Sequence, residues 1–225
     1  MSDDAKTTPK RSRDSISNTL IVAIGVSFVC SILVASAAII LKPRQLQNEE
    51  EYRQRIILDV AGLYDPGADL ATLYSSIEER TTQLASGVEA PVYLVMDGER
   101  TEQVILPIEG PGLWSTMYGY LSVENDGNTV RGLRFYDHGE TPGLGDQVDK
   151  PFWRDQWQGK KLYGPDGEPQ IEVIKGPAPD DSDYQIDGLA GATLTGHGIS
   201  QFVRHWIGDE GYGPYLKKLG EEESR

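Results

Sequence analysis

The sequence predicts an α+β domain carried behind one membrane-spanning helix, its sheet twisted, mainly antiparallel and flanked by helices. Three observations lead there. Residues 20–41 form a run of 22 positions without a single charge. From Ala90 onward apolar residues recur at every second position between Gly-containing turns, the pattern of hairpins. Towards the C-terminus Ile199, Phe202, Val203, Trp206 and Ile207 fall at i, i+3, i+4, i+7 and i+8, one apolar face of a helix. Helices first and strands afterwards is the order of an α+β domain.

The chain of 225 residues has room for one sizeable domain with accessories, and its net charge is −14. An acidic surface of this kind excludes nucleic acid as a partner, because phosphate backbones require clustered Lys and Arg. Cys30 is the sole cysteine, so neither a disulfide framework nor a cysteine-ligated zinc or iron–sulfur site is expected within the chain. His138, His197 and His205 lack metal-ligand spacing, and no metal site is expected. The sequence carries no GxGxxG after a strand, no phosphate-binding GxxxxGK[ST] and no GxSxG elbow. Acid–base or nucleophilic catalysis is therefore not expected, and redox chemistry would need an organic cofactor.

In chain order, residues 1–19 are polar, with four basic and three acidic side chains, and read as a tail. At ~1.5 Å per residue, residues 20–41 cross a ~30 Å hydrocarbon core. A cleavable signal would stop at the small residues Ala35 to Ala38, but Ile39, Ile40 and Leu41 continue the apolar run, which favours an uncleaved anchor. Basic residues flank the span almost equally, so charge alone does not orient it. Residues 42–88 are expected to be a juxtamembrane helical segment. Ile56, Ile57, Val60 and Leu63 have helical spacing, Pro66-Gly67 breaks it, and a second helix over 68–85 would place Leu70, Leu73, Ile77 and Leu84 on one side. Both would cover one side of a sheet. The domain proper, 89–225, opens with a hairpin turning at Asp97-Gly98 and continues with another turning at 125–128. A third strand, Ile171 to Lys175, follows a turn at 164–167. Within the last helix Trp206 belongs to the apolar stripe, and His197 and His205 read as solvated or capping side chains.

Three segments have compositions that a plain surface loop does not need. Asp187-Gly188-Leu189-Ala190-Gly191-Ala192-Thr193 places Thr193 on a Gly-rich turn at or just before a helix N-terminus. Unpaired N–H groups and the positive end of the macrodipole favour an anion there. The hydroxyl is either a helix cap or an attachment point for a phosphate. Gly110 to Gly119 sets four glycines around Trp114 and Tyr118, and His138 to Gly145 combines Glu140, Thr141 and three glycines. Glycines allow close backbone approach and aromatics offer flat apolar surface, although either stretch is also compatible with an ordinary turn.

The segment D-G-L-A-G-A-T resembles the flavinylation motif Asp-Gly-x-(Ser/Thr)-Gly-Ala-Thr, with Ala190 in place of the usual Ser or Thr. Together with G-P-G-L-W-S-T-M-Y-G, H-G-E-T-P-G-L-G, Phe152-Trp153 to Trp157 and the closing G-Y-G-P-Y-L, nearly the whole chain resembles the NqrC family, the FMN-binding-domain subunits of the Na+-translocating NADH:quinone reductases. The resemblance implies an electron-relay subunit of an NADH:ubiquinone oxidoreductase, with FMN joined by a phosphoester to Thr193 through a flavin transferase that uses FAD. It implies flavin contacts from Gly112, Leu113, Trp114, Glu140, Thr141, Leu144 and Lys175, and from the motif residues Asp187, Ala192, Leu194 and Thr195. It places the domain on the periplasmic side of the cytoplasmic membrane, the tail inside, among the other subunits of a membrane complex. The alternatives are the flavin subunit of the related ferredoxin:NAD+ oxidoreductase complex, or an anchored binding or scaffold module without covalent flavin. The F-V-R-H-W and G-Y-G-P-Y-L stretches favour the quinone reductase.

Overall fold

The computed structural model describes residues 16–223. The tail expected over 1–19 lies outside the described residues as far as 15, and Ile16 to Thr19 are already helical. Helix α1 (Ile16–Val60) contains the charge-free run and continues past it through Pro43. The chain divides into two units, one ending at Glu49 and one starting at Glu50. In the first, every side chain from Thr19 onward is exposed, as a helix surrounded by lipid requires. Among the described residues, α1 is the one helix long and apolar enough to cross a membrane.

In the second unit α1 ends at Val60, ahead of Pro66. Gly62, at φ +74, lets its own N–H reach the Asp59 carbonyl (3.0 Å) and that of Leu63 reach Leu58 (2.8 Å), a Schellman closure. The Ala61 carbonyl left over accepts from the buried Gln103 amide (3.1 Å), which in turn accepts from Ser122. A short helix, α2 (Leu70–Tyr74), follows, its N-terminus capped by the Asp69 carboxylate accepting from Thr72 N–H.

The helix expected over 68–85 is not what forms. After α2 the chain extends as β1 (Ile77–Gln83), paired antiparallel with β2 (Glu89–Asp97) over the full register Ile77↔Val95 to Gln83↔Glu89. Ile77 and Leu84, which share a side on helical spacing, instead pack into cores on opposite faces of the sheet. Seven residues of ladder, with the β-branched pair Thr81-Thr82 among them, outweigh the weak helical preference of Glu and Arg.

β3 (Arg100–Pro111), β4 (Thr116–Glu124) and β5 (Val130–Asp137) complete an antiparallel meander in the order β1-β2-β3-β4-β5. The β2–β3 turn uses Gly98 at φ +62, as the Asp-Gly signal requires. Both faces are covered. Val104, Leu106 and Ile108 of β3 point into the larger core beneath the C-terminal helices, while Ile105 meets Ile57, Leu58 and Val60 of α1. That explains the near-continuous burial of β3.

A 3-10 turn (Gly145–Asp149), α3 (Pro151–Arg154) and a second 3-10 turn (Asp155–Trp157) then bury Trp153 and Trp157 edge to face at 5.7 Å. The strand expected from Ile171 to Lys175 shrinks to β6 (Glu172–Val173). It pairs in parallel with β7 (Gln185–Ile186), apart from the main sheet. α4 (Thr193–Ile207) lies against the end of β3, and α5 (Gly213–Glu223) closes the core with Leu216 and Leu219. The approach of α4 to β3 depends on glycine. A Cβ on Gly110 would stand 2.2 Å from Phe202, and one on Gly198 2.4 Å from the Pro111 carbonyl oxygen.

Candidate functional site

The three singled-out segments meet at the N-terminus of α4. The buried Glu140 joins them, 5% exposed. Its Oε1 accepts from the backbone N–H of Leu113 (2.9 Å) and Trp114 (3.1 Å), and its Oε2 from the hydroxyl of Thr195 (2.5 Å). Gly139 N–H donates to Ser115 Oγ (2.6 Å), a second link between the two loops. The glycines here make room for the carboxylate. A Cβ on Gly112 would stand 2.3 Å from Oε1, and one on Gly145 2.8 Å from Oε2.

Asp187 holds the other side. Its Oδ1 accepts from Ala178 N–H (2.7 Å) and its Oδ2 from the Gln156 amide (3.1 Å), while its own N–H donates back to Gln156 (2.9 Å). The Trp153 indole N–H donates to its carbonyl (2.9 Å). The motif aspartate is thus a latch that fixes the 176–178 turn to α3 and the turn after it. Gly188 follows because a Cβ there would meet the Ile174 carbonyl oxygen at 2.3 Å.

Thr193 is the first residue of α4, and the capping position belongs to Ala192, so the hydroxyl is not the helix cap. It is exposed and makes no hydrogen bond among the described residues. With Lys175, Gly176, Pro177, Asp187 and Gly188 it lines an open depression of about 440 Å³. Lys175 is exposed and forms no ion pair among the described residues. A larger depression of about 620 Å³, between Gly127, Tyr163 and Leu216, contains none of the motif residues.

Large apolar side chains gather on the same side. Leu113 is 42% exposed, Trp114 70%, Leu144 42% and Leu194 62%. Leu144 leans on the motif turn, since a Cβ on Gly191 would meet it at 2.8 Å. Four such side chains in the open, on loops that are themselves anchored, form a surface suited to a flat apolar ring. The residues present fit a flavin mononucleotide: an apolar platform, an unbonded hydroxyl at a helix N-terminus for the phosphate, and a cation beside it.

Of the predicted site residues, Gly112, Leu113, Trp114, Leu144, Lys175, Thr193 and Leu194 face this region. Glu140, Asp187, Ala192 and Thr195 are turned into the protein. Thr141 contributes its carbonyl to the N–H of Leu144 and Asp146, shaping the loop from behind. Trp206 sits at the edge of the apolar stripe, its indole N–H bonded to the Glu109 carbonyl (2.6 Å) and its ring stacked on Tyr212. Ser200 bonds Val173 N–H (2.8 Å) and ties α4 to β6.

Sequence reasoning missed Gln156, Ser115 and His138 as supports of the site. Nothing in their spacing announces contacts made 24 or 31 positions away. His138 Nε2 lies 3.0 Å from Asp149, and its Nδ1 accepts from Glu140 N–H (3.3 Å). The Asp149 hydrogen bond raises its pKa above the ordinary histidine value, against the opposing effect of burial.

Residues 112–208 match the model of the FMN-binding domain family. Over nearly its full length the chain is similar to the NqrC subunit of the Na(+)-translocating NADH-quinone reductase from Vibrio alginolyticus, at 41% identity covering 93% of this chain and 97% of the relative. The corresponding protein from Yersinia pestis is 39% identical over 94% and 96%. Among solved structures, NqrC of Shewanella oneidensis is 34% identical with a TM-score of 0.57, covering 65% of this chain and 70% of that one. Its counterpart from the Na(+)-translocating NADH-quinone reductase of Parabacteroides distasonis is 26% identical with a TM-score of 0.66, covering 78% and 96%.

Proposed function

The chain belongs to the NqrC family of the Na+-translocating NADH-quinone reductases, and from that premise we propose that it is the electron-relay flavin subunit of such a membrane complex, with FMN joined to Thr193. It is a single-pass member of a multi-subunit oxidoreductase, α1 its membrane anchor in lipid and the folded domain on the periplasmic side. Bound FMN supplies a centre that takes electrons in pairs or singly.

This chain's residues hold and orient that group. The exposed Thr193 hydroxyl, unengaged at the first residue of α4, supports the reading more than any other observation. A flavin transferase would move FMN from FAD to Thr193 Oγ1. The Oγ1–P bond forms, the pyrophosphate bond breaks, AMP leaves and the hydroxyl proton is lost. The phosphate then lies where unpaired N–H groups and the helix dipole favour an anion. Leu113, Trp114 and Leu144 supply the apolar surface for the ring, and Lys175 the nearby positive charge.

Mass spectrometry of the full chain coexpressed with a flavin transferase tests this. The expected gain is one FMN less one water, with a fluorescent band on a denaturing gel. Thr193→Ala abolishes both while leaving stability within ~0.5 kcal/mol, since an exposed hydroxyl without a hydrogen bond is removed. A wild-type chain at its unmodified mass refutes the proposal.

A further inference from the structure

We propose that Glu140 is a positioning residue: its buried carboxylate sets the rotation of α4, which aims Thr193, and its spacing from the platform of Leu113 and Trp114. The inference rests on the reading of Thr193 as attachment point, but its structural half stands without it.

Glu140 is turned away from any ligand. Three hydrogen bonds converge on it from two separate segments, one formed with a residue 55 positions away. Its two oxygens are walled in by Gly112 and Gly145, where even a methyl group would collide. A carboxylate is an acceptor only, so it joins three donors that could not bond to one another. Two of those donors are the N–H groups of the residues carrying the exposed apolar side chains.

The third donor, Thr195, is fully buried two positions after Thr193. At ~100° per residue, side chains two apart on a helix point about 200° away from each other. Holding Thr195 inward therefore holds Thr193 outward. The bond between Thr195 and Glu140 fixes the rotation of the first turn, and the same carboxylate fixes the loop under the ring. A single group thereby sets the relation between the tether and the platform.

Thr195→Val removes one hydroxyl with almost no change of shape, and Thr195→Ser retains the hydroxyl. In full chains that also carry Thr193→Ala, and so bear no flavin, amide hydrogen exchange reads the platform directly. Thr195→Val is expected to speed exchange at Leu113 and Trp114 about tenfold while leaving the β3–β4 ladder amides unchanged, and Thr195→Ser is expected to restore protection. Unchanged exchange at Leu113 and Trp114 overturns the proposal. In flavin-loaded chains, Thr195→Val and Glu140→Gln are expected to keep the attached mass and lose at least about half of the visible circular dichroism of the flavin. Loss in Glu140→Gln but not in Thr195→Val would mean that the carboxylate serves the ring itself, and also overturns the positioning role. Should Glu140→Gln fail to fold, Thr195→Val carries the test. A wild-type chain without flavin would sink the relay reading alone, because the exchange result still decides the positioning.

Discussion

Replacing Gly198 by Ala sets two well-known effects against each other. In an exposed helix interior the change stabilises by ~1 kcal/mol, because Ala loses less backbone freedom than Gly on folding. Here the added Cβ would lie 2.4 Å from the Pro111 carbonyl oxygen and 3.6 Å from Gly112 Cα, where ordinary contact begins near 3.4 Å. The obstacle is backbone, pinned by the Pro111↔Thr116 pairing and by Gly112 N–H donating to the Ser115 carbonyl at 2.8 Å. α4 therefore has to withdraw by about 1 Å, which loosens Phe202 against Gly110 as well. Overpacking of this kind costs ~1–3 kcal/mol, leaving a net loss of ~1–2 kcal/mol after the helical gain. For a domain of this size that lowers the melting temperature by ~2–8 °C. Gly196→Ala is the internal control. Its Cβ would meet only the Val173 side chain, at 3.0 Å, which can give, so it should be close to neutral. Thermal unfolding of the full chain in detergent, followed by circular dichroism, distinguishes them. A Gly198→Ala protein as stable as wild type, or more so, means that α4 does not rest on Pro111 at this distance and refutes the reasoning.

Lys175→Gln should lower the flavin midpoint potential, because a cation beside the ring's polar edge favours anionic reduced forms. The change should amount to ~1 kcal/mol or less, since the ammonium is exposed and screened. A spectroelectrochemical titration giving an unchanged or higher midpoint removes Lys175 from that role. His138 gives a pH signature. Its pKa is raised in the folded state, so its stabilisation is fully present below the ordinary value near 6.5 and fades as pH rises through the raised one. The melting temperature of wild type should exceed that of Asp149→Asn by more at pH 6 than at pH 9, and a pH-independent gap would contradict the pairing.

The parts of the fold that follow local rules were legible in the sequence. The span, the Asp97-Gly98 turn and the stripe Ile199, Phe202, Val203 and Ile207 each stand where periodicity and turn chemistry place them. What failed was set by distant partners. β1 is a strand because β2 offers it a ladder, and β6 is short and parallel because β7 returns to it from beyond the 174–184 loop. The site was legible as a set of segments, but the inward or outward direction of each side chain was not. Glycines at 112 and 145 suggest room for a ligand. They make room for a carboxylate, and Asp187 serves Gln156 and Ala178. Neither relation leaves a mark at short sequence range, because each joins loops whose proximity exists only after the sheet has formed.

An attachment at Thr193 changes what the surrounding surface has to accomplish. The depression beside Thr193 is open, and Leu113, Trp114 and Leu144 lie on loops at the surface, so a ring resting on them keeps one face accessible. Free FMN held only by such contacts would exchange with solvent, because a few exposed apolar side chains bury too little area to offset the loss of translational freedom on binding. Tethering makes docking of the ring intramolecular, at an effective concentration set by the short ribityl arm and not by any free pool. Retention then belongs to one bond, and the platform is left to determine orientation. That division explains why the polar groups of the region are spent on rigidity, with Glu140 and Asp187 both bonded inward, while its outer surface is apolar and open to whatever chain approaches to exchange electrons.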